Sequence, residues 1–248
     1  MTRRAGILVL LILVLFPVIL SAQTAFPKIS LGLEESENPT DFIMTIQILA
    51  FMTILTLAPS ILIMMTSFTR IIIVFHFLRA ALATQSVPSN QILVGLALFM
   101  TLFIMKPVLL EINDNALQPY LEETITQQEG LERAAAPLRQ FMLNQTREND
   151  LQLFIDLKGD GAVKTREELS LSTIIPSFII SELKTSFQIG FLLYLPMLLL
   201  DMVVASVLLS MGMMMLPPVM ISMPFKILLF VLVDGWNLIV KSLVEGFV

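Results

Sequence analysis

The strongest constraint lies in one apolar run, Asp201 to Lys226, DMVVASVLLSMGMMMLPPVMISMPFK. It is apolar enough for a membrane helix but interrupted at its centre. Gly212 and the Pro217-Pro218 pair bracket Met213, Met214 and Met215. Glycine weakens a helix, and proline removes a backbone donor and clashes with the preceding turn. The helical pieces on either side, Met202–Met211 and Val219–Val233, are each shorter than the ~20 residues that span a bilayer. A broken apolar helix must bury its open backbone groups in protein or line a cavity, because lipid cannot satisfy them. Two readings of the three methionines stand side by side. They fill gaps in a bundle, or they form a flexible gate, since the unbranched thioether side chain adapts to irregular shapes.

Composition places the rest of the chain around this break. Of 248 residues, 56% are hydrophobic and 14% charged, and the mean hydropathy is +0.86, values that belong to an integral membrane protein. The net charge of −5 argues against a nucleic-acid partner. With no cysteine there is no disulfide, thiolate metal site or cysteine nucleophile. The single histidine, His76, lies among aromatic residues, and one imidazole forms neither a metal cluster nor a Ser-His-Asp set. No glycine-rich phosphate loop is present. The reading is of a protein that is not an enzyme, with no cofactor and no metal.

Taken in order, the chain divides into five parts. Residues 1–22 read as a signal peptide, with Arg3 and Arg4 ahead of the apolar Ile7–Leu20 and small residues at Ser21 and Ala22. Leu20 fits a cleavage site poorly, which leaves an uncleaved anchor as the other reading. Residues 23–41 form a short acidic segment expected in the periplasm. Residues 42–110 hold hydrophobic helices: Phe42–Met65 with Pro59 inside, Phe68–Ala83, and Ile92 to about Leu110. Arg70 and Arg79 are nine residues apart, about 180° around a helix, so each needs its own partner or water. The Thr66–Gln91 loop carries both arginines and no acid, which places it in the cytoplasm. Residues 111–172 are then expected on the opposite side, as a small, mostly helical periplasmic domain. Its polarity supports this, with twelve acidic and six basic residues between Glu111 and Leu171.

Within that domain Asp156, Asp160, Gly161 and Glu167 fall at positions 1, 5, 6 and 12 of a calcium loop. Position 3 is Lys158, a cation where an oxygen ligand belongs, so the stretch reads as a glycine turn.

Residues 173–248 return to hydrophobic helices. One opens near Thr173 and Pro176 and runs to Pro196, with Glu182, Lys184 and Gln188 as polar points. The broken stretch follows, then a further break at Asp234–Asn237 and an apolar end. Asp201 at membrane depth costs about 2.5–3.5 kcal/mol on insertion scales and calls for a partner. Lys226, across the Met-Pro break, is the candidate, within one chain or between copies, and the pair fixes register in preference to carrying protons. The fold class is therefore an all-α integral membrane protein, with kinked and broken hydrophobic helices forming hairpins and a small, mostly helical periplasmic domain.

Several stretches carry a family resemblance. Pro176 to Phe191, PSFIISELKTSFQIGF, is similar to a signature of the FliP family of flagellar biosynthesis proteins. So are Asp201 to Trp236, SFTRIIIVFHFLR around Arg70, and NQILVGLALF after Pro88. Ser177 stands where the family more often has alanine. The resemblance implies the pore-forming core of the flagellar type III export gate in the inner membrane at the basal body. It implies a homo-oligomer, a pentamer, assembled with FliQ and FliR beside FlhA and FlhB, passing unfolded flagellar subunits. It further implies that much of the apolar sequence is held by partner subunits above the bilayer. By the same resemblance Met213, Met214 and Met215 form a pore gasket, and Asp201 and Lys226 an inter-subunit charge pair. Phe187 and Phe191 are implied to face the pore, and Phe141 and Phe154 to lie at subunit contacts. Two other readings are a structural scaffold for the export apparatus and a proton-coupled secondary transporter. The transporter would need a second broken segment in the first half, which the sequence lacks.

Overall fold

The computed structural model describes residues 39–84, 86–158, 169–213 and 215–247. The expected signal peptide and most of the acidic segment after it lie outside these residues. So do Met214 and the calcium-like stretch from Gly159 to Glu168. The chain divides into two compact units, 1–53 and 54–248. The described part of the first is the opening of helix α1 (Pro39–Met64). The account below concerns the second unit.

The described residues are helical throughout, connected by turns. Helix α2 (Phe68–Ala81) buries Ile71, Val74, Phe75 and Leu78, which recur at the spacing of one helical face. Beyond turns at 82–83 and bends at 86–88 begins α3 (Asn90–Ile112), which buries Leu93, Ala97 and Met100 at intervals of four and three. These two stripes belong to one core cluster, so the pair forms a hairpin. A π-helical turn, Asn113–Leu117, and the short α4 (Gln118–Leu121) extend α3. Helices α5 (Gln127–Gln145) and α6 (Glu148–Lys158) follow, in keeping with the mostly helical character expected of this stretch. Thr126 caps α5, its hydroxyl accepting from the Glu129 amide.

Helix α7 (Leu171–Ser210) is the axis of this second unit. At 40 residues it is about 60 Å long, twice the hydrocarbon thickness of a bilayer. The sequence reading ended this helix at Pro196, and the structure corrects that. Pro176 and Pro196 both lie inside it. In apolar surroundings every backbone group released by a break stays unpaired, so losing one donor costs less than opening the helix. Helix α2 runs parallel to the first half of α7. Arg70 meets Glu182 at one end, and Phe77 covers Gly190 further along. A Cβ on residue 190 would collide with the Phe77 ring, so glycine sets how closely the two helices approach.

The second half of α7 carries α8 (Pro218–Leu232), folded back antiparallel. Helix α9 (Gly235–Glu245) continues from α8 after a 64° bend at Val233-Asp234. Trp236 anchors the bend, edge-on to Phe230 at 5.6 Å and to Phe75 at 6.2 Å. The chain then reaches Gly246 and Phe247 beside Arg70, back at the first end of α7. A second core cluster at this end joins Met65, Met142, Leu151, Ile174 and Phe178.

Among the described residues two stretches could cross a membrane by length and composition, Asn90–Leu121 and Leu171–Ser210, or three if α8 and α9 count as one bent span. Arg70 does not lie apart from residues 111–172 in the way loop charge counting expected. Arg70 was placed in a cytoplasmic loop, across the membrane from residues 111–172. Instead it donates to Gln145 of α5 at 3.0 Å. Loop charge counting assumes that each apolar run crosses lipid. Here α2 and α3 fold against α7 and bring Arg70 back to the polar end.

Candidate functional site

The hairpin of α7 and α8 carries the residues singled out by sequence, and its turn is a glycine-terminated helix end. The Gly212 amide donates to the Leu209 carbonyl at 3.1 Å and the Met213 amide to Leu208 at 2.9 Å. This is the Schellman arrangement, and it requires a left-handed residue, which Gly212 supplies at φ +74°. Pro217, in extended conformation, precedes Pro218 at the first position of α8, where no amide is needed. The break therefore pairs its own released carbonyls. Met213 is 40% exposed and Met215 98%, so the turn presents thioethers outward from the tip.

Further up the hairpin Lys226 Nζ donates to Asp201 Oδ2 at 2.7 Å, with the lysine side chain 2% exposed and the aspartate 22%. Ser222, one turn before Lys226 on α8, donates to the other oxygen, Oδ1. Both carboxylate oxygens are thus held by α8, which satisfies the buried charge. The resemblance implied this pair between subunits. The structure forms it inside one chain, because the turn lies at similar distance from Asp201 on α7 and Lys226 on α8.

Phe187 and Phe191 lie on one face of α7 and are both exposed. Phe187 touches Phe77 edge-on, with centroids 5.2 Å apart. Phe141 stacks on Phe247 at 6.2 Å and meets Phe178 edge-on.

A second polar centre lies at the opposite end of α7, some distance along the bundle. Arg70 donates through Nε to Glu182 Oε2 at 2.8 Å and through Nη2 to Oε1. It also reaches the Gly246 carbonyl at 2.9 Å and lies 3.8 Å over the Phe247 ring. Gln145 Nε2 closes the set by donating to the Phe247 carbonyl at 3.3 Å. A bidentate guanidinium–carboxylate pair is among the strong charged contacts, and both partners here are buried. Beside it the Arg147 side chain donates to Thr185 and Gln188, and Lys184 pairs with Asp150. Sequence reading flagged Arg70 as needing a partner and Glu182 as a polar point, without joining them. The available signal was two lone, opposite charges in apolar helices.

The FliP family model matches residues 51–243. The flagellar biosynthetic protein FliP of Bacillus subtilis is 54% identical over 212 residues, covering 86% of this chain and 96% of that protein. That of Cereibacter sphaeroides is 50% identical over 222 residues, 90% of this chain and 73% of the relative. That of Aquifex aeolicus is 47% identical over 231 residues, 92% and 96%. The chain belongs to the FliP family.

As a FliP-family member the chain is not an enzyme but a component of flagellar biosynthesis. Among the described residues no three metal-ligating side chains converge. Asp156, the first position of the calcium-like stretch, instead accepts from Gln152 at 2.7 Å. Sequence reading passed over Ser222 and Gln145, both of which contact the buried charges. A serine among apolar residues and a glutamine in a polar helix give no sign of a distant charge.

Proposed function

We propose that this chain is a pore-forming subunit of the flagellar type III export gate, passing unfolded flagellar subunits across the inner membrane. The carrying observation is the α7–α8 hairpin. It holds a methionine turn at its outward tip and is cross-braced behind it by Asp201, Ser222 and Lys226. Membership of the FliP family and, among the described residues, two helices long enough to cross a membrane support the same reading. Copies of the chain, a pentamer, assemble with FliQ and FliR next to FlhA and FlhB at the basal body. Residues 111–172 form the periplasmic part. In a ring of such hairpins Met213, Met214 and Met215 meet as an apolar constriction. It excludes water at rest and reshapes around cargo, because each side chain has three rotatable bonds. Phe187 and Phe191 line the passage.

The test replaces all three methionines with alanine in the full gate complex. Membrane potential is followed alongside secretion of a hook-type substrate. The expected result is a small-ion leak with export largely retained. A variant as ion-tight as the parent would reduce these methionines to packing.

A further inference from the structure

Among the described residues, Arg79 and Asp234 are charges in apolar surroundings that take part in no ion pair. Arg79 lies near the end of α2, half-buried, and its acceptors are neutral. Nη1 donates to Asn90 Oδ1 at 2.6 Å and to the Pro88 carbonyl at 3.4 Å, and Nη2 lies 3.1 Å from His76 Nδ1. A guanidinium has five N–H donors, so Nε–H and one Nη2–H remain, an edge shaped for the two oxygens of a carboxylate. Asp234 stands at the bend between α8 and α9, exposed, in the left-handed conformation at φ +50°. It holds the capping position of α9, yet its carboxylate makes no capping bond. Glycine or asparagine would serve the bend without setting a charge between Val233 and Trp236.

The two charges lie at one height along α7. Phe77 covers Gly190, and Arg79 is two residues further along the parallel α2, at about the level of Leu192. On the antiparallel α8, Lys226 and Ser222 hold Asp201. Asp234 is eight residues beyond Lys226, about 12 Å back toward the first end of α7, at about the level of Leu193. Other charges do not match this height. Glu245 closes α9 next to Gly246, at the Arg70 end. Lys106 lies about 24 Å along α3 from Asn90, the residue that Arg79 holds. Asp201 stands near, but its oxygens are taken by Lys226 and Ser222.

Equal height and opposite sign have a consequence in a ring. Copies related by rotation about an axis along α7 keep every residue at its height, and a head-to-tail interface joins two different faces of the chain. We propose that Arg79 of one copy pairs with Asp234 of the next, so that one guanidinium–carboxylate contact closes each interface. Approach to Arg79 is open, because it borders cavities of about 410 Å³ and 430 Å³. The pairing rests on the ring of copies proposed above and assigns a contact within it. It supplies each charge with the partner that its own chain does not, which offsets the cost of holding both in apolar surroundings.

The chain has no cysteine, so introduced thiols report only on themselves. Arg79→Cys and Asp234→Cys are combined in the full-length chain, expressed with the gate complex, and treated in membranes with a short bis-maleimide. The double variant should give a ladder of cross-linked multiples on a denaturing gel, and each single variant should stay monomeric there. The two single variants expressed together should give a dimer and nothing larger, which serves as the second reading if the double variant fails to fold. Arg79→Asp should deplete the oligomer seen by native mass spectrometry, and adding Asp234→Arg in the same chain should restore it. Oligomers of parent mass without cross-links, a cross-link confined within one chain, or dimers from Arg79→Cys alone overturn the pair and leave the ring standing. A chain that is monomeric by native mass spectrometry in every preparation overturns the ring and the pair together.

Discussion

Arg70 and Glu182 are 112 residues apart in sequence and meet as a buried, two-pronged ion pair. The pair joins α2 to α7, and through Gln145 and the Gly246 carbonyl it also fastens α5 and the last residues of α9's extension. Four segments share one guanidinium.

Removing one side of this pair leaves the other charge buried and alone, at a cost of about 3–5 kcal/mol. Glu182→Ala and Arg70→Ala should each lower the thermal midpoint of the purified full-length chain. The double variant should lose less than the sum of the two. Strict additivity in that cycle would mean the two residues do not act together.

Asp201→Ala and Lys226→Ala should each impair motility, and the exchanged pair, Asp201→Lys with Lys226→Asp, should restore part of it. Ser222→Ala removes one neutral donor to a charge, worth about 1.5–3 kcal/mol, and should be milder than Lys226→Ala. The pairing within one chain adds a sharper expectation. Mixing Asp201→Lys subunits with Lys226→Asp subunits in the same cell should not restore motility as the exchange within one chain does. Equal rescue by mixing would return the pair to the subunit interface.

Gly190→Ala should drive a Cβ into the Phe77 ring and push α2 from α7, at about 1–3 kcal/mol. Phe77→Leu on the same background should recover part of the loss, read as thermal midpoint. A neutral Gly190→Ala would show that the helices part without cost.

Gly212→Ala places a side chain at φ +74°, where the strain is about 1–2 kcal/mol, with no neighbouring atom near enough to clash. The expected outcome is a shifted turn and ion leak through the gate complex, with the level of folded protein near that of the parent. Leak equal to the parent's would show that the turn tolerates another geometry.

Much of the architecture was legible because hydrophobic pattern and helix punctuation act locally. The break after Ser210 follows from Gly212 and Pro217-Pro218, since a left-handed residue and a missing amide have the same consequence in any surroundings. The opposed faces of Arg70 and Arg79 follow from helical rotation alone, and each arginine has its own partners. Pro196 misled because the cost of a proline depends on what else could satisfy the backbone, and in an apolar bundle nothing else does.

The sequence by itself determined the all-helical character, the hairpin break with its methionines, and the demand of each buried charge for a partner. These depend on backbone chemistry and solvation within a few residues. Only the tertiary structure decided which charges meet, Arg70 with Glu182 and Asp201 with Lys226 inside one chain, and that Arg70 lies at the same end as Gln145. Those outcomes depend on how α2, α3 and α8 dock along α7. Docking is set by packing of surfaces distant in sequence, such as Phe77 over Gly190, and no local pattern encodes it.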